Sequence, residues 1–573
     1  GAVRHYNSFS QTVDQLTGVG ADDFWNQNID GFVEDQWKAT PKLLLSLGLR
    51  YDAQLVPGPD MPNTANPVAF SATSQINPDL KMYQPRFGFN WNPQNGTVVR
   101  GGYGMFYGQI SNSSYYTLRR ENGVYQKQYS SSAVTANNPY GACPAGTTTS
   151  TVCYQNPGVY QTYSPAGGVP IYTPPGPAPT NFVTGAPITI PSTINPALAA
   201  GITIRGLDPS FTNPISHSWD LTLEQELPLR STLTVGYVGN RANHLPVYID
   251  TNVDPNSVLT NRFYRYTNPA TGVVMNENVP TYVNKRYANT GTVATGFSAV
   301  NSWYHSMVVT VRKPMAHGVE LLANYTWAKA LDGGQTYGGN GTFNGTDAPL
   351  VPFFLGGRNG VGAEYARSDL DIRSRVVVTL VGKSDFHLGN RFLEYGTNGW
   401  LLAGTYTAQS GEPVTATISG SISSISGGAL GTPGLAINTD AGVTNAVFTS
   451  GPGARVPNFI AARNGFAGPG VHNLDARLSR EFPIYRFHLE FAAEAFNLAN
   501  HRNILAVNTA IVQYTPATAG TSGVCALGTA ASGGCNGSLG PLSASTAAFM
   551  SPSSTSNIIY GPRQLQLLGR FIF

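Results

Sequence analysis

The chain has 573 residues, 64 of them Gly and 40 Pro, and only 11% are charged, less than half of the ~25% usual in soluble domains. Its 34 basic and 31 acidic residues leave a net charge of +3, which excludes a strongly basic nucleic-acid binder and an acidic solvating chain. No apolar run approaches the ~18 residues of a membrane-spanning helix, but a β-barrel crosses with alternating segments of ~10 residues that hydropathy averages away.

In chain order, period-2 alternation predicts thirteen strands: 29–38, 43–53, 83–91, 97–107, 216–227, 232–240, 303–313, 319–330, 372–383, 399–410, 471–481, 486–497 and 561–573. The connections alternate. Short turns fall at 39–42, 92–96, 228–231, 314–318, 384–398 and 482–485, and most carry Pro, Gly or Asn. Long loops fall at 54–82, 108–215, 241–302, 331–371, 411–470 and 498–560, 363 residues in all. Short turns on one side and long loops on the other is the organisation of an outer-membrane barrel with periplasmic turns and extracellular loops. Residues 1–28 are expected to be the tail of an extracellular loop and 29–573 the transmembrane barrel.

The alternation also assigns faces. Strand 43–53 sets Leu43, Leu45, Leu47, Leu49 and Tyr51 against Ser46, Gly48, Arg50 and Asp52. Strand 319–330 sets Val319, Leu321, Ala323, Tyr325 and Trp327 against Glu320, Asn324 and Thr326. A soluble sandwich turns such an apolar face inward, whereas a barrel in lipid turns it outward. Two features favour the barrel. Charges on the apolar faces (Asp35, Lys313, Lys329, Arg480, Arg563) all lie within four residues of a strand end. Six of the seven Trp form two girdles, Trp37, Trp91 and Trp400 on the short-turn side and Trp219, Trp303 and Trp327 on the long-loop side. Indoles at two membrane–water interfaces give that pattern.

Four cysteines form two local pairs, Cys143/Cys153 and Cys525/Cys535, each ten apart. The spacing matches neither zinc ribbons nor redox motifs, and two small disulfides inside loops are expected, in an oxidising compartment.

No His-Glu-x-x-His, Gly-x-Ser-x-Gly or P-loop occurs, so no catalytic residue, cofactor or enzyme activity is expected. The nine His are dispersed, and no metal site is expected. Gly101-Gly102-Tyr103-Gly104 has no helix after it and reads as a bend or a close backbone approach rather than a phosphate cradle. His488 with Glu490 and Glu494 is the best polar cluster, read as a lumen hydrogen-bond network. The run from Arg367 to Arg375 is the densest in charge. Its Asp371, Arg373 and Arg375 should face the lumen, as an ion-pair ladder or as a contact for substrate or plug. The other candidate lumen or ligand residues are Arg50, Asp52, Arg100, Glu224, Arg312, Glu320, Asp475, Arg477 and Arg570. With Arg86, Lys383, Asp220, Glu226 and Glu481 the predicted lumen charges balance, nine basic against ten acidic, so they set no ligand charge.

Several stretches carry a family resemblance: Asp35-Gln-Trp-Lys38, Leu43 to Asp52, Arg100 to Tyr107, Asn324 to Asp332, and Phe496-Asn-Leu-Ala-Asn500. From about residue 29 onward the chain resembles the C-terminal barrel region of TonB-dependent outer-membrane receptors. Their Oar-like branch, which carries a carboxypeptidase-regulatory-like domain ahead of the plug, is the most similar. Phe573, with Phe571, Leu567 and Leu565, resembles the C-terminal signal read by the outer-membrane assembly machinery. The resemblance implies a bacterial outer-membrane receptor that captures a ligand with its loops and imports it through the lumen, coupled to an inner-membrane TonB complex. It makes glycan fragments or peptides plausible cargo. The alternative is an outer-membrane-anchored adhesin or surface interaction protein without import; a passive porin needs no such loops. About 13–14 strands against the 22 of large outer-membrane transporters, with no plug segment recognisable, lead us to expect a fragment of a larger barrel. An open curved sheet or a poorly sealed closure should follow.

Overall fold

A computed structural model describes residues 9–14, 24–59, 61–124, 126–131, 204–252, 254, 258–259, 263–278, 281–282, 286–287, 290, 293–333, 365–419, 437–438, 460–516, 537–555 and 561–572. Its main element is one antiparallel meander of thirteen strands: β1 (Gln27–Thr40), β2 (Leu43–Leu55), β3 (Met82–Gln94), β4 (Thr97–Tyr107), β5 (Ile215–Leu227), β6 (Ser231–Asp250), β7 (Val293–Ala316), β8 (Val319–Asp332), β9 (Ser374–Lys383), β10 (Trp400–Gln409), β11 (Val471–Ile484), β12 (Phe487–Phe496) and β13 (Gln564–Ile572). Each strand pairs with its sequence neighbours, and β1 does not pair with β13, so the sheet is open. Every predicted strand has its counterpart here. No helix among the described residues is long and apolar enough to cross a membrane.

The register makes the two faces continuous. Leu49 lies opposite Val33 and Pro85, Leu221 opposite Gly101 and Tyr237, and Tyr406 opposite Val378 and Leu474. One face is therefore apolar from strand to strand, and its side chains stay open to the surroundings, from Leu47 and Phe87 to Leu402 and Leu567. The buried clusters lie elsewhere, among the loops. A sheet whose greasy face is uncovered over thirteen strands is stable only where lipid covers it.

Glycines in β4 and β6 make room for rings. A Cβ at Gly101 would lie 2.6 Å from the Phe89 ring, and one at Gly239 2.3 Å from the Trp219 indole. The Gly101–Gly104 run is thus strand with close ring approach, as expected, and not a phosphate cradle.

The elements depart from expectation at their ends. β6 and β7 run about ten residues past their predicted limits of 240 and 303, because alternation is broken by bulges around Ser298 and Val300. Beyond the bulges, Val247 and Val300 are buried against Leu245 and Phe297. β9 starts at Ser374, not 372. The connection read as a plain turn at 384–398 holds a helix, α3 (Arg391–Thr397). Asn390 caps it by accepting from the N–H of Phe392, and Glu394 accepts from Leu388 and Gly389. Phe9–Asp14, placed in a loop tail, pairs with Gln126–Ser131.

The long connections fold too. α1 (Pro67–Thr73) and α2 (Asn112–Arg120) pack with Ile204–Leu207, which runs parallel to the β7 extension. A Cβ at Gly206 would lie 2.1 Å from the Ala72 carbonyl oxygen, so only glycine lets α1 sit there. The connections 251–292, 410–470 and 497–563 build a second unit, a sheet in the order Val274–Asn278, Phe263–Thr267, Gly537–Gly540, Ala510–Pro516, Thr417–Ser419. Tyr266, Ile418, Val512, Tyr514 and Leu539 form its core.

Candidate functional site: the polar face and the loop assembly

The face opposite the apolar one collects most of the predicted polar residues, because β-pairing keeps like-facing positions in one row. Arg50 bridges Asp30 at 3.0 Å and Asp52 at 2.8 Å, and Gln84 donates to Asp52. Arg100 faces Glu224 at 3.5 Å. Arg477 reaches Glu490 at 2.5 Å and Glu494 at 2.9 Å. Arg570 is the register partner of Glu490, while Arg312, Glu320, Arg375 and His488 make no ion pair among the described residues. The expected His488 network is therefore different: Arg477, not His488, joins the two glutamates. Asp475 spends its carboxylate on Asn473 at 2.9 Å and on the Asn497 N–H at 2.8 Å, which is a structural task.

The run at 367–375 is a knot at the loop-side rim. Asp371, expected to face the lumen, is buried: it accepts from the Ala330 N–H at 2.7 Å, from Arg367 at 2.8 Å and from Arg373 at 3.1 Å. Burial alone raises its pKa, but the Ala330 N–H and the two guanidinium groups outweigh that and hold it below the ordinary carboxylate value. Arg463 bonds Asp332 and reaches Asp369 at 3.5 Å, and Asn464 accepts from Thr415 and donates to the Arg367 carbonyl at 2.8 Å. Sequence reasoning missed Arg463 and Asn464, since Ala-Arg-Asn-Gly in a loop has no period to mark it. The knot ties the connections 333–373 and 410–470 together.

The stretch Phe496 to Asn500 has an equally local reason. Asn497 and Asn500 have φ of 49° and 51°, a left-handed backbone that Asn tolerates. The Asn497 amide donates to the His501 carbonyl at 2.9 Å and to the Gly561 carbonyl at 3.0 Å, closing the base of the last long loop.

Between these ties a cleft of about 520 Å³ opens, lined by Gln409–Thr415, Gly468, Pro469, Val471, Ile504–Val507 and Thr509. Glu412 is its single charged lining residue. Exposed backbone and small polar groups beside Pro, Val and Leu suit hydrogen bonding to a neutral or weakly charged ligand. In the loop units, burial pushes the Tyr115 hydroxyl up to about 12 and raises Tyr266 as well. Neither phenol ionises at neutral pH, so both serve as packing and hydrogen-bonding groups.

Among the described residues no three His, Cys, Asp or Glu gather in a way that could hold a metal. Cys143, Cys153, Cys525, Cys535 and Phe573 lie outside the described residues. Phe571 and Leu567 stand on the apolar face of β13, exposed at 54% and 87%. Trp37 pairs with Leu45, Trp91 with Leu43 and Trp400 with Arg480, towards the turns; Trp219 and Trp327 lie in the loop-side halves of β5 and β8, and Trp303 falls in the middle of the extended β7 rather than at a strand end.

An open meander with an uncovered apolar face, two Trp levels and folded loops at one end defines a transmembrane β-barrel domain. The chain belongs to the outer membrane beta barrel domain family, which matches residues 6–566. It is a protein of the bacterial outer membrane. No curated protein matches the sequence significantly. Among solved structures it is similar to the outer membrane transporter YddB from Escherichia coli, with 10% identity over 84% of this chain and 42% of that one, at a TM-score of 0.38. It is similar to the siderophore receptor PirA from Acinetobacter baumannii, with 9% identity over 84% and 42% and a TM-score of 0.35. For the ferric enterobactin receptor PfeA from Pseudomonas aeruginosa the values are 11%, 83%, 40% and 0.37. The chain thus spans less than half the length of these structures, and likeness at that level assigns no ligand or activity.

Proposed function

We propose that this chain is the barrel of a TonB-dependent, Oar-like outer-membrane receptor, which captures an extracellular ligand at its loops and admits it to the polar face. The observation that carries the reading is the loop assembly: three long connections share one sheet and one apolar core, and a cleft opens beside it. A passive pore needs no such structure. The near balance of ion pairs along the polar face suits a neutral or mixed-charge cargo, and a glycan fragment or peptide fits the cleft's chemistry. Import requires coupling to an inner-membrane TonB complex through a plug, which the family resemblance places ahead of the barrel. The two loop disulfides and recognition of the C-terminal aromatic residues by the assembly machinery belong to the same reading.

Cells expressing the complete gene test it, with labelled glycan and peptide pools. Surface binding that persists without TonB, together with accumulation that requires it, is the expected result. Binding with no TonB-dependent accumulation would instead establish the anchored adhesin.

A further inference from the structure

The apolar face carries one cluster that a lipid-facing surface should not tolerate without a partner. His217, Arg241, His305 and Lys329 occupy two adjacent rows across β5 to β8: His217 pairs with Arg241 and Arg241 with Trp303, while His305 pairs with Lys329. All four point to the apolar side, since their strands place Leu221, Tyr237, Met307 and Trp327 in the next row on the same face. His217, Arg241 and Lys329 each stand ten residues up their strands from the turn end. At ~3.3 Å per residue and a tilt of ~45° that is a climb of roughly 23 Å, close to the ~25 Å height of an apolar band. The cluster therefore sits at one level, the boundary of the outer leaflet.

Its groups are held in place. The Arg241 guanidinium lies 4.3 Å from the centre of the Trp303 ring, and its Nε donates to Asn243 at 2.9 Å. His305 stacks at 6.0 Å against Trp303 and at 6.2 Å against Tyr237. The Tyr237 hydroxyl meets His305 Nδ1 at 2.7 Å, and the Tyr103 hydroxyl meets His217 Nδ1 at 2.8 Å. Each imidazole so fixed keeps Nε2 for another partner. Among the described residues none of the four forms an ion pair, and the one acidic residue on the apolar face of the thirteen strands, Asp35, lies at the opposite, turn-side end. A fixed guanidinium, the exposed ammonium of Lys329 and two oriented imidazoles, without an acid, beside acyl chains match an anion delivered by the lipid itself.

We propose that His217, Arg241, His305 and Lys329 form a binding site for the phosphate groups of a phosphorylated outer-leaflet glycolipid. Trp303 stands in the row of Arg241, Trp219 in that of His305, and Tyr237 in the next row on the acyl side. The site is independent of import and of any loop-bound cargo.

Native mass spectrometry of the detergent-solubilised protein tests this with bis-phosphorylated lipid A and the same lipid stripped of phosphate. Two cations at ~1 kcal/mol each predict about a thirty-fold preference for the phosphorylated form. In the Arg241→Gln, Lys329→Gln double variant that preference should fall to about twofold or less, whereas the turn-side control Arg486→Gln should keep it. Equal retention of the two lipids by the unaltered protein overturns the proposal whether or not the variant folds. Displacement of the lipid by millimolar inorganic phosphate also overturns it, by making the site one for free anion.

Discussion

Single residues hold the loop side together, and their removal has graded consequences. Arg463 is nine-tenths buried and joins Asp332 to Asp369. Arg463→Ala should cost about 3–5 kcal/mol of local stability, the usual cost of breaking a buried ion pair, read as lost hydrogen-exchange protection at 366–373 and 460–470 with the strands unchanged. Asn497→Ala removes three side-chain bonds at the base of the last loop and a residue type suited to its left-handed backbone. It should free the 497–563 connection to protease before any strand is cut. Asp371 has its pKa below the ordinary carboxylate value, so its contribution is complete above the unfolded value of ~3.9 and fades as pH falls through the folded one. The rim should hold at pH 5 and loosen only in stronger acid. Asp371→Asn should abolish that acid dependence and weaken the rim at neutral pH, measured by the same exchange experiment. Beyond the charge density of 367–375 the sequence does not show these roles: Arg463 meets Asp332 and Asn497 meets Gly561 only across long, aperiodic loops, and Asp371 is buried by its bond from Ala330 on β8.

At the scale of the element, alternation carried the information. Thirteen strands and five of the six short connections follow from period-2 patterning punctuated by Pro, Gly and Asn, and the register places Arg50, Arg100, Glu224, Arg477 and Glu490 on one face. Patterning fails where bulges shift it, so the outward tips of β6 and β7 escape it, whereas Arg241, one residue past the predicted end of β6, is still in regular register with Trp303. The β5–β6 turn shows the opposite case, a conformation the sequence resists. Leu229 and Arg230 both have positive φ, 63° and 59°, where a hairpin of this type favours Asn-Gly. Leu229→Asn with Arg230→Gly should relieve roughly 1–2 kcal/mol of backbone cost, seen as slower urea unfolding in micelles. Gly239→Val should do the reverse, since its side chain would occupy the space of the Trp219 indole.

Over the whole molecule the fold is inverted: apolar side chains lie on the outer face, polar pairs on the inner one, and folded loops at one end. Its proportions were legible from the sequence, because lipid imposes the same constraint on every strand. The folding of the long loops into a second sheet was not, because strands of three to seven residues leave too short a pattern to detect. Spin labels on adjacent residues of one strand distinguish an inverted sheet from a water-soluble one. In a background with the four cysteines replaced by alanine, Leu221→Cys and Thr222→Cys place labels on opposite faces of β5. In bilayers the label at 221 should collide with oxygen and be shielded from a water-soluble nickel chelate, with the converse at 222. Equal access of the chelate to both positions would contradict the account and make the sheet a water-soluble one.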